Sequence, residues 1–168
     1  MNSLERKSLV GLASLYAFRM LGLFMLLPVL SLYAQEYSGS SAILIGVALG
    51  IYGLTQGLFQ IPLGFLSDKV GRKPVIVGGM LLFLCGSIVA AMSDSMWGLI
   101  VGRALQGTGA VASTIMALLS DLTTEQNRTK AMAVVGGSIG IAFAISMVSG
   151  PVLASLWGLS GLFWLIAG

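Results

Sequence analysis

Gly64-Phe65-Leu66-Ser67-Asp68-Lys69-Val70-Gly71-Arg72-Lys73 places four charged residues and two glycines within ten positions. On one side lies Ala42–Leu63 and on the other Pro74–Met92, and neither contains a charged residue. A bilayer core about 30 Å thick requires roughly 20 residues of helix. A short basic connection between two runs of that length must therefore sit in water or among headgroups. Asp68, among three cations, is placed for pairing rather than for solubility.

The rest of the chain repeats the pattern. Apolar runs occupy 8–34, 42–66, 74–92, 96–122 and 131–156, and a sixth begins near Ser160 and reaches Gly168. Nine residues cannot span a bilayer, so the sequence reads as one transmembrane unit, 1–168, with its sixth helix incomplete. The bulk numbers agree: 57% apolar residues, 9% charged residues and a mean hydropathy of +0.97, against roughly 25% charged residues in soluble domains. Arg6-Lys7 ahead of an apolar stretch resembles a secretory leader. The run is too long for one, contains Arg19 and lacks a small-x-small cleavage site, so it reads as a retained helix.

Charge placement gives orientation. Arg6 and Lys7 precede helix 1, Lys69, Arg72 and Lys73 join helices 2 and 3, and Arg128 and Lys130 join helices 4 and 5. The connections Gln35–Ser41, Ser93–Ser95 and Trp157–Leu159 carry no lysine or arginine. Cytoplasmic loops are enriched in these residues, so the basic side and the N-terminus are expected in the cytoplasm. The Asn127-Arg128-Thr129 sequon then falls on the wrong face for glycosylation. The +3 net charge marks topology here and does not imply a nucleic-acid partner.

Several chemistries are excluded. There is no histidine and a single cysteine, Cys85, inside an apolar run, so no intrachain disulfide forms and no transition-metal site is expected. No hydrolase constellation or nucleotide-binding loop is present. No cofactor and no enzyme activity are expected.

Two arginines lie inside apolar runs, Arg19 and Arg103. An arginine at the centre of a membrane helix costs about 2.5–3.5 kcal/mol on insertion scales. Such a residue faces a cavity or a partner, or snorkels to the interface. Gln56 and Gln60 lie one turn apart, and Gln106 follows Arg103 by three residues. These five are candidates for a cavity wall handling substrate or protons, although glutamines also serve as glue between helices. Glu36 and Asp94 fall on the outer side, and Asp68, Asp121 and Glu125 on the basic side, so no carboxylate lies deep in a run. Helix 2 carries Gly46, Gly50, Gly53, Gly57 and Gly64 on one face, and helix 5 carries Gly136, Gly140 and Ala144. Either face admits a close-packed helix, fixed or moving.

Gly64-x-x-x-Asp68-Lys69-x-Gly71-Arg72-Lys73 resembles, at every defining position, the signature loop of the major facilitator superfamily. Arg103-x-x-Gln106-Gly107-x-Gly109 resembles that family's fourth-helix motif. Gly150-Pro151 resembles the core of its antiporter motif, with Ser146 in place of the preceding glycine and Ala154-Ser155 in place of the trailing pair. Stretches from Arg19-Met20-Leu21-Gly22 to Asn127–Ala133 extend the resemblance over essentially the whole chain, toward bacterial inner-membrane transporters of the drug:proton antiporter type. The resemblance implies an all-α membrane fold, the N-terminal six helices of a twelve-helix carrier. It also implies alternating access around a site between two halves, with a C-terminal half, the bilayer, a small amphipathic substrate and protons as partners. The family assigns the loop aspartate, here Asp68, to a cytoplasmic gate, and pairs the residue at Arg72 with the acid ending helix 4, here Asp121. Arg128 sits on the same side. A membrane scaffold or receptor, or an inactive half-carrier, is the alternative.

Overall fold

The computed structural model describes residues 3–168, and these are helical almost throughout. The helices are α1 (Ser3–Tyr33), α2 (Ala42–Val70), α3 (Arg72–Ala91), α4 (Met96–Thr108), α5 (Ala112–Asp121) and α6 (Glu125–Ala167). Four of them, α1, α2, α3 and α6, are long and apolar enough to cross a membrane. Ser41 and Ser95 cap α2 and α4, each hydroxyl accepting a backbone N–H three residues on at 3.2 Å. Pro74 falls in the first turn of α3, where its missing N–H is of no consequence.

Two boundaries differ from the sequence reading. The run 96–122, expected as one helix, is broken between Thr108 and Ala112, because Gly109 and Val111 leave helical geometry (ψ 38° and 3°). The expected fifth and sixth helices are continuous in hydrogen bonding but turn at Gly158, whose φ of 69° suits only glycine. The chain reverses there: Gly150, eight residues before, and Ile166, eight after, meet α1 at Met25 and Gly22. The helices also start earlier or run later than hydropathy alone indicated, since Arg72 and Glu125 stand in first turns.

Contacts sort the connections to two ends. At one, Glu5 reaches Thr124 and Arg72 reaches Asp121. At the other, Ser38 exchanges backbone hydrogen bonds with Asp94 and Met96, and the Ser160 hydroxyl bonds Ala91 O. Every cation expected in a loop lies at the first end, so the bundle is up-and-down with its basic connections on one side.

Glycine allows close backbone contact between α3 and α4. A methyl on Gly86 would stand 2.7 Å from Gly102 O, and one on Gly102 would stand 2.8 Å from Gly86 O. Gly79 and Gly109 meet in the same way one level lower. The glycines singled out on helix 2 do not do this: a methyl at Gly46, Gly50, Gly53 or Gly57 would meet nothing within 4 Å, and the same holds at Gly136 and Gly140. Those faces turn away from the described helices.

Two apolar clusters fill the bundle. One, at the basic end, includes Leu9, Ala13, Met20, Ile76, Ile115, Leu119 and Val135. The other, at the opposite end, includes Leu26, Val29, Leu30, Ala48, Met96, Leu99 and Phe163.

Gly86→Val is expected to destabilise the detergent-solubilised protein by about 1–3 kcal/mol, because a backbone carbonyl cannot yield to the added atoms. Gly50→Ala is expected to be neutral for folding of this bundle. Thermal unfolding followed by tryptophan fluorescence checks both, and equal loss in the two variants contradicts the packing.

Candidate functional site

The buried polar layer begins with Arg103, which is 1% exposed and the largest fully buried side chain. Its Nε donates to Ala48 O at 3.3 Å and its Nη1 to Gln106 Oε1 at 2.9 Å. Gln106 Nε2 donates to Ser87 Oγ at 2.8 Å, and the Ser87 hydroxyl donates to Phe83 O at 2.9 Å. The guanidinium carbon also lies 4.7 Å from the centroid of the Tyr52 ring. Groups from α2 and α4 thus solvate one charge, and Ser87 of α3 holds the glutamine in place. The three-residue spacing of Arg103 and Gln106 puts both on one face of α4, and the bare backbones of Gly86 and Gly102 let Ser87 come within reach.

Arg19 occupies the adjoining position at 3% exposure. Its Nη2 makes a long 3.5 Å hydrogen bond to the Tyr52 hydroxyl, and its guanidinium carbon lies 5.2 Å from the Phe83 ring centroid. Nε and Nη1 have no hydrogen-bond partner. Tyr52 therefore serves two cations at once, its ring facing Arg103 and its hydroxyl facing Arg19. The sequence reading missed Tyr52 and Ser87. A polar-tipped aromatic four residues before Gln56 was the available signal for the first, and nothing marked the second. Gln56 and Gln60 are half-buried on α2 and lie outside this network; Gln60 lines a shallow pocket of about 310 Å³ with Gly64, Asp68 and Ser113.

The second cluster is at the α2–α3 corner. Gly71 adopts φ 102°, ψ 154°, a conformation open to glycine, and its N–H closes the last turn of α2 on Ser67 O at 3.1 Å. This corner directs Arg72 back along α2. Arg72 Nη1 lies 2.5 Å from Asp68 Oδ1 and donates to Ser67 Oγ at 2.7 Å, while Nε donates to Asp121 Oδ2 at 3.2 Å. One guanidinium thus ties the end of α2 to the end of α5. Both carboxylates are more than half exposed. Gly64 contributes its carbonyl, which accepts the Ser67 hydroxyl at 2.7 Å. Lys69, Lys73 and Arg128 are exposed.

A third contact was not weighed from the sequence. Glu5, buried at the same end, accepts the Thr124 backbone N–H at 3.0 Å and the Asn127 amide at 3.4 Å. It stands at the N-terminus of α6, where a carboxylate is favoured by the helix dipole. Along the same α1–α6 seam, a methyl on Gly150 would lie 2.8 Å from Met25 O, next to Pro151. The Ser146 hydroxyl lies 2.9 Å from Leu21 O and 2.6 Å from Ala142 O. The serine that departs from the antiporter pattern thus joins the two helices.

Tyr52→Phe removes one acceptor from a charged donor, a loss of about 1.5–3 kcal/mol at most. Tyr52→Leu also removes a desolvated cation–π contact worth about 2 kcal/mol. The expected order of thermal stability in detergent is wild type, then Phe, then Leu; Phe and Leu variants of equal stability contradict the dual role.

The Major Facilitator Superfamily pattern matches residues 12–168. The chain is 61% identical over 163 residues to the inner membrane transport protein YajR of Escherichia coli, covering 97% of this chain and 36% of that one. It is 46% identical over 167 residues to an uncharacterized transporter of Buchnera aphidicola from Acyrthosiphon pisum, covering 99% and 43%. It is 32% identical over 155 residues to the class H tetracycline resistance protein of Pasteurella multocida, covering 90% and 38%. The chain spans roughly two-fifths of the length of these relatives. With the signature loop, the fourth-helix motif and the all-helical bundle in agreement, the chain belongs to the major facilitator superfamily.

Proposed function

We propose that this protein is the amino-terminal bundle of a secondary active transporter of the bacterial inner membrane, working by alternating access and exporting small amphipathic compounds in exchange for protons. Its N-terminus and basic connections face the cytoplasm. The observation that carries the reading is Arg72 bridging Asp68 and Asp121 at the corner where Gly71 turns the chain. A topology signal needs lysine and arginine and makes little use of acids; a releasable latch needs both signs. Relatives named as an inner membrane transport protein and as a tetracycline resistance protein support transport.

The geometry divides the labour. The Arg103–Gln106–Ser87 layer is buried and fully engaged, which suits a fixed scaffold. The Arg72 cluster is half-exposed, where single ion pairs typically contribute 1 kcal/mol or less, so it can open and re-form during a cycle. Among the described residues no carboxylate lies in the buried polar layer. The group that titrates with the coupled proton therefore belongs to the carrier's remaining helices, which also supply the other wall of the substrate path.

Asp68→Asn leaves the basic topology signal intact and removes one arm of the latch. It is expected to shift the full-length carrier toward the inward-open state without unfolding it; a shift of about 1.4 kcal/mol changes the population ratio tenfold. Cysteines engineered at the basic end of α5 report this as increased labelling from the cytoplasmic side, with transport reduced. Unchanged labelling together with unchanged transport leaves these charges as topology signals only.

A further inference from the structure

Thr124 begins α6 as its N-cap, and the third helical residue after it is Asn127. In a local capping box a glutamate or glutamine at that third position reaches back to the N–H of the N-cap. Here a residue of α1, 119 positions earlier, takes that part: Glu5 accepts the Thr124 N–H at 3.0 Å. The Asn127 amide instead donates to Glu5 at 3.4 Å and to Thr124 Oγ1 at 2.9 Å. Glu5 is 7% exposed, and Leu9, one turn on, belongs to the same apolar cluster as Leu119 of α5 and Ala131 of α6. Burying a carboxylate is costly unless it is hydrogen-bonded, and a cap from within the first turn of α6 would need no such burial. The long-range arrangement adds what a local cap lacks, a tie between α1 and the connection after α5. Asp121 stands three residues before Thr124, and three residues of chain span about 10 Å at most. Asp121 Oδ2 accepts Arg72 Nε at 3.2 Å. One short segment, 121–127, is thus held from both sides, by Arg72 at the α2–α3 corner and by Glu5 of α1.

We propose that Glu5 is a positioning residue for the Arg72 latch: it anchors Thr124 and Asn127 to α1 and so holds Asp121 where Arg72 reaches it. The inference rests on the latch reading given above. The Asp121 side chain is 56% exposed, and an exposed ion pair contributes little once the ordering of its side chains is set against it. Such a pair depends on how much chain has to be ordered to form it. Fixing the segment that follows Asp121 removes part of that ordering cost in advance. Loss of Glu5 therefore weakens the Arg72–Asp121 pair while leaving both residues in place, and the position of α1 becomes part of the state of the latch.

The test uses the full-length carrier in membrane vesicles and reads labelling, from the cytoplasmic side, of cysteines engineered at the basic end of α5. Glu5→Ala is expected to raise labelling about threefold or more, within the range of coupling for residues in one hydrogen-bonded network. In a carrier that already bears Asp121→Asn, Glu5→Ala is expected to add nothing. Glu5→Ala/Asn127→Glu rebuilds a local capping box on α6. It is expected to recover the thermal midpoint lost in Glu5→Ala while labelling stays raised. If Glu5→Ala does not fold, this double variant takes its place in both backgrounds. An equal rise with and without Asp121→Asn, no rise with Asp121 intact, or labelling restored together with the thermal midpoint by Asn127→Glu overturns the proposal and leaves Glu5 as a helix cap. The latch reading is judged by Asp121→Asn alone. Where that variant raises labelling and Glu5→Ala does not, only the positioning role falls; where Asp121→Asn changes nothing, both fall.

Discussion

The bundle depends on the solvation of one buried cation. Arg103 is 1% exposed and has no carboxylate partner among the described residues, and its charge is spread over a carbonyl of α2, an amide of its own helix and an aromatic face. Insertion of an uncompensated arginine is costly; here the compensation comes from α2 and α4, with α3 holding Gln106 through Ser87, and cannot be assembled by any one helix. That requirement fixes relative rotation. Turning α2 about its axis takes Ala48 O and the Tyr52 ring away together, and turning α3 takes Ser87 away from Gln106. The apolar clusters above and below supply burial without direction, whereas the polar layer supplies direction.

Glycine makes this layer possible. Ser87 and Gln106 are short enough to meet only because Gly86 and Gly102 bring two backbones into contact. At Gly107 a side chain would meet Tyr52 O and Thr55, so this glycine lets α4 approach the turn of α2 whose Tyr52 ring lies over Arg103. In a membrane, helices gain little from burying apolar surface against one another, and close backbone approach with buried hydrogen bonds takes over that role.

Much of this was legible in the residues. Charge-free runs separated by cations gave the membrane class and the one-sided basic connections, because bilayer thickness leaves few ways to place such a sequence. The spacing of Asp68 and Arg72, one turn apart, and the acid at Asp121 marked the corner cluster. Close glycine contacts lie on α3 and α4, and the α2 stripe from Gly46 to Gly57 meets none of the described helices. Five glycines in register on α2 form a clear stripe, but a stripe shows where a helix can approach and not whether one does. Gly79, Gly86, Gly102 and Gly109 make no such stripe on a single helix, and their meaning appears only when α3 and α4 are set side by side. The break in 96–122 was missed for the same reason: Gly107-Thr108-Gly109 is tolerable in a helix, and only with α3 alongside does Gly109 show as a place where a side chain would meet Gly79 O and Phe83 N. Glu5 was hidden in the opposite sense, since its partners lie some 120 residues away.

The break separates two kinds of cluster on what hydropathy reads as one helix. Arg103 and Gln106 are on α4, locked to α2 and α3, while Asp121 stands at the end of α5 and meets the partly exposed Arg72 guanidinium. In a continuous helix each turn is held to the next by backbone hydrogen bonds, and a displacement at Asp121 would be carried to Arg103. Between Thr108 and Ala112 that ladder is interrupted, and Gly109 supplies backbone freedom at the junction. The corner cluster and the buried layer therefore stand on two separate helical segments. A buried polar layer and a partly exposed ion-pair cluster thus occupy the same stretch of chain, and the interruption at Gly109 separates them.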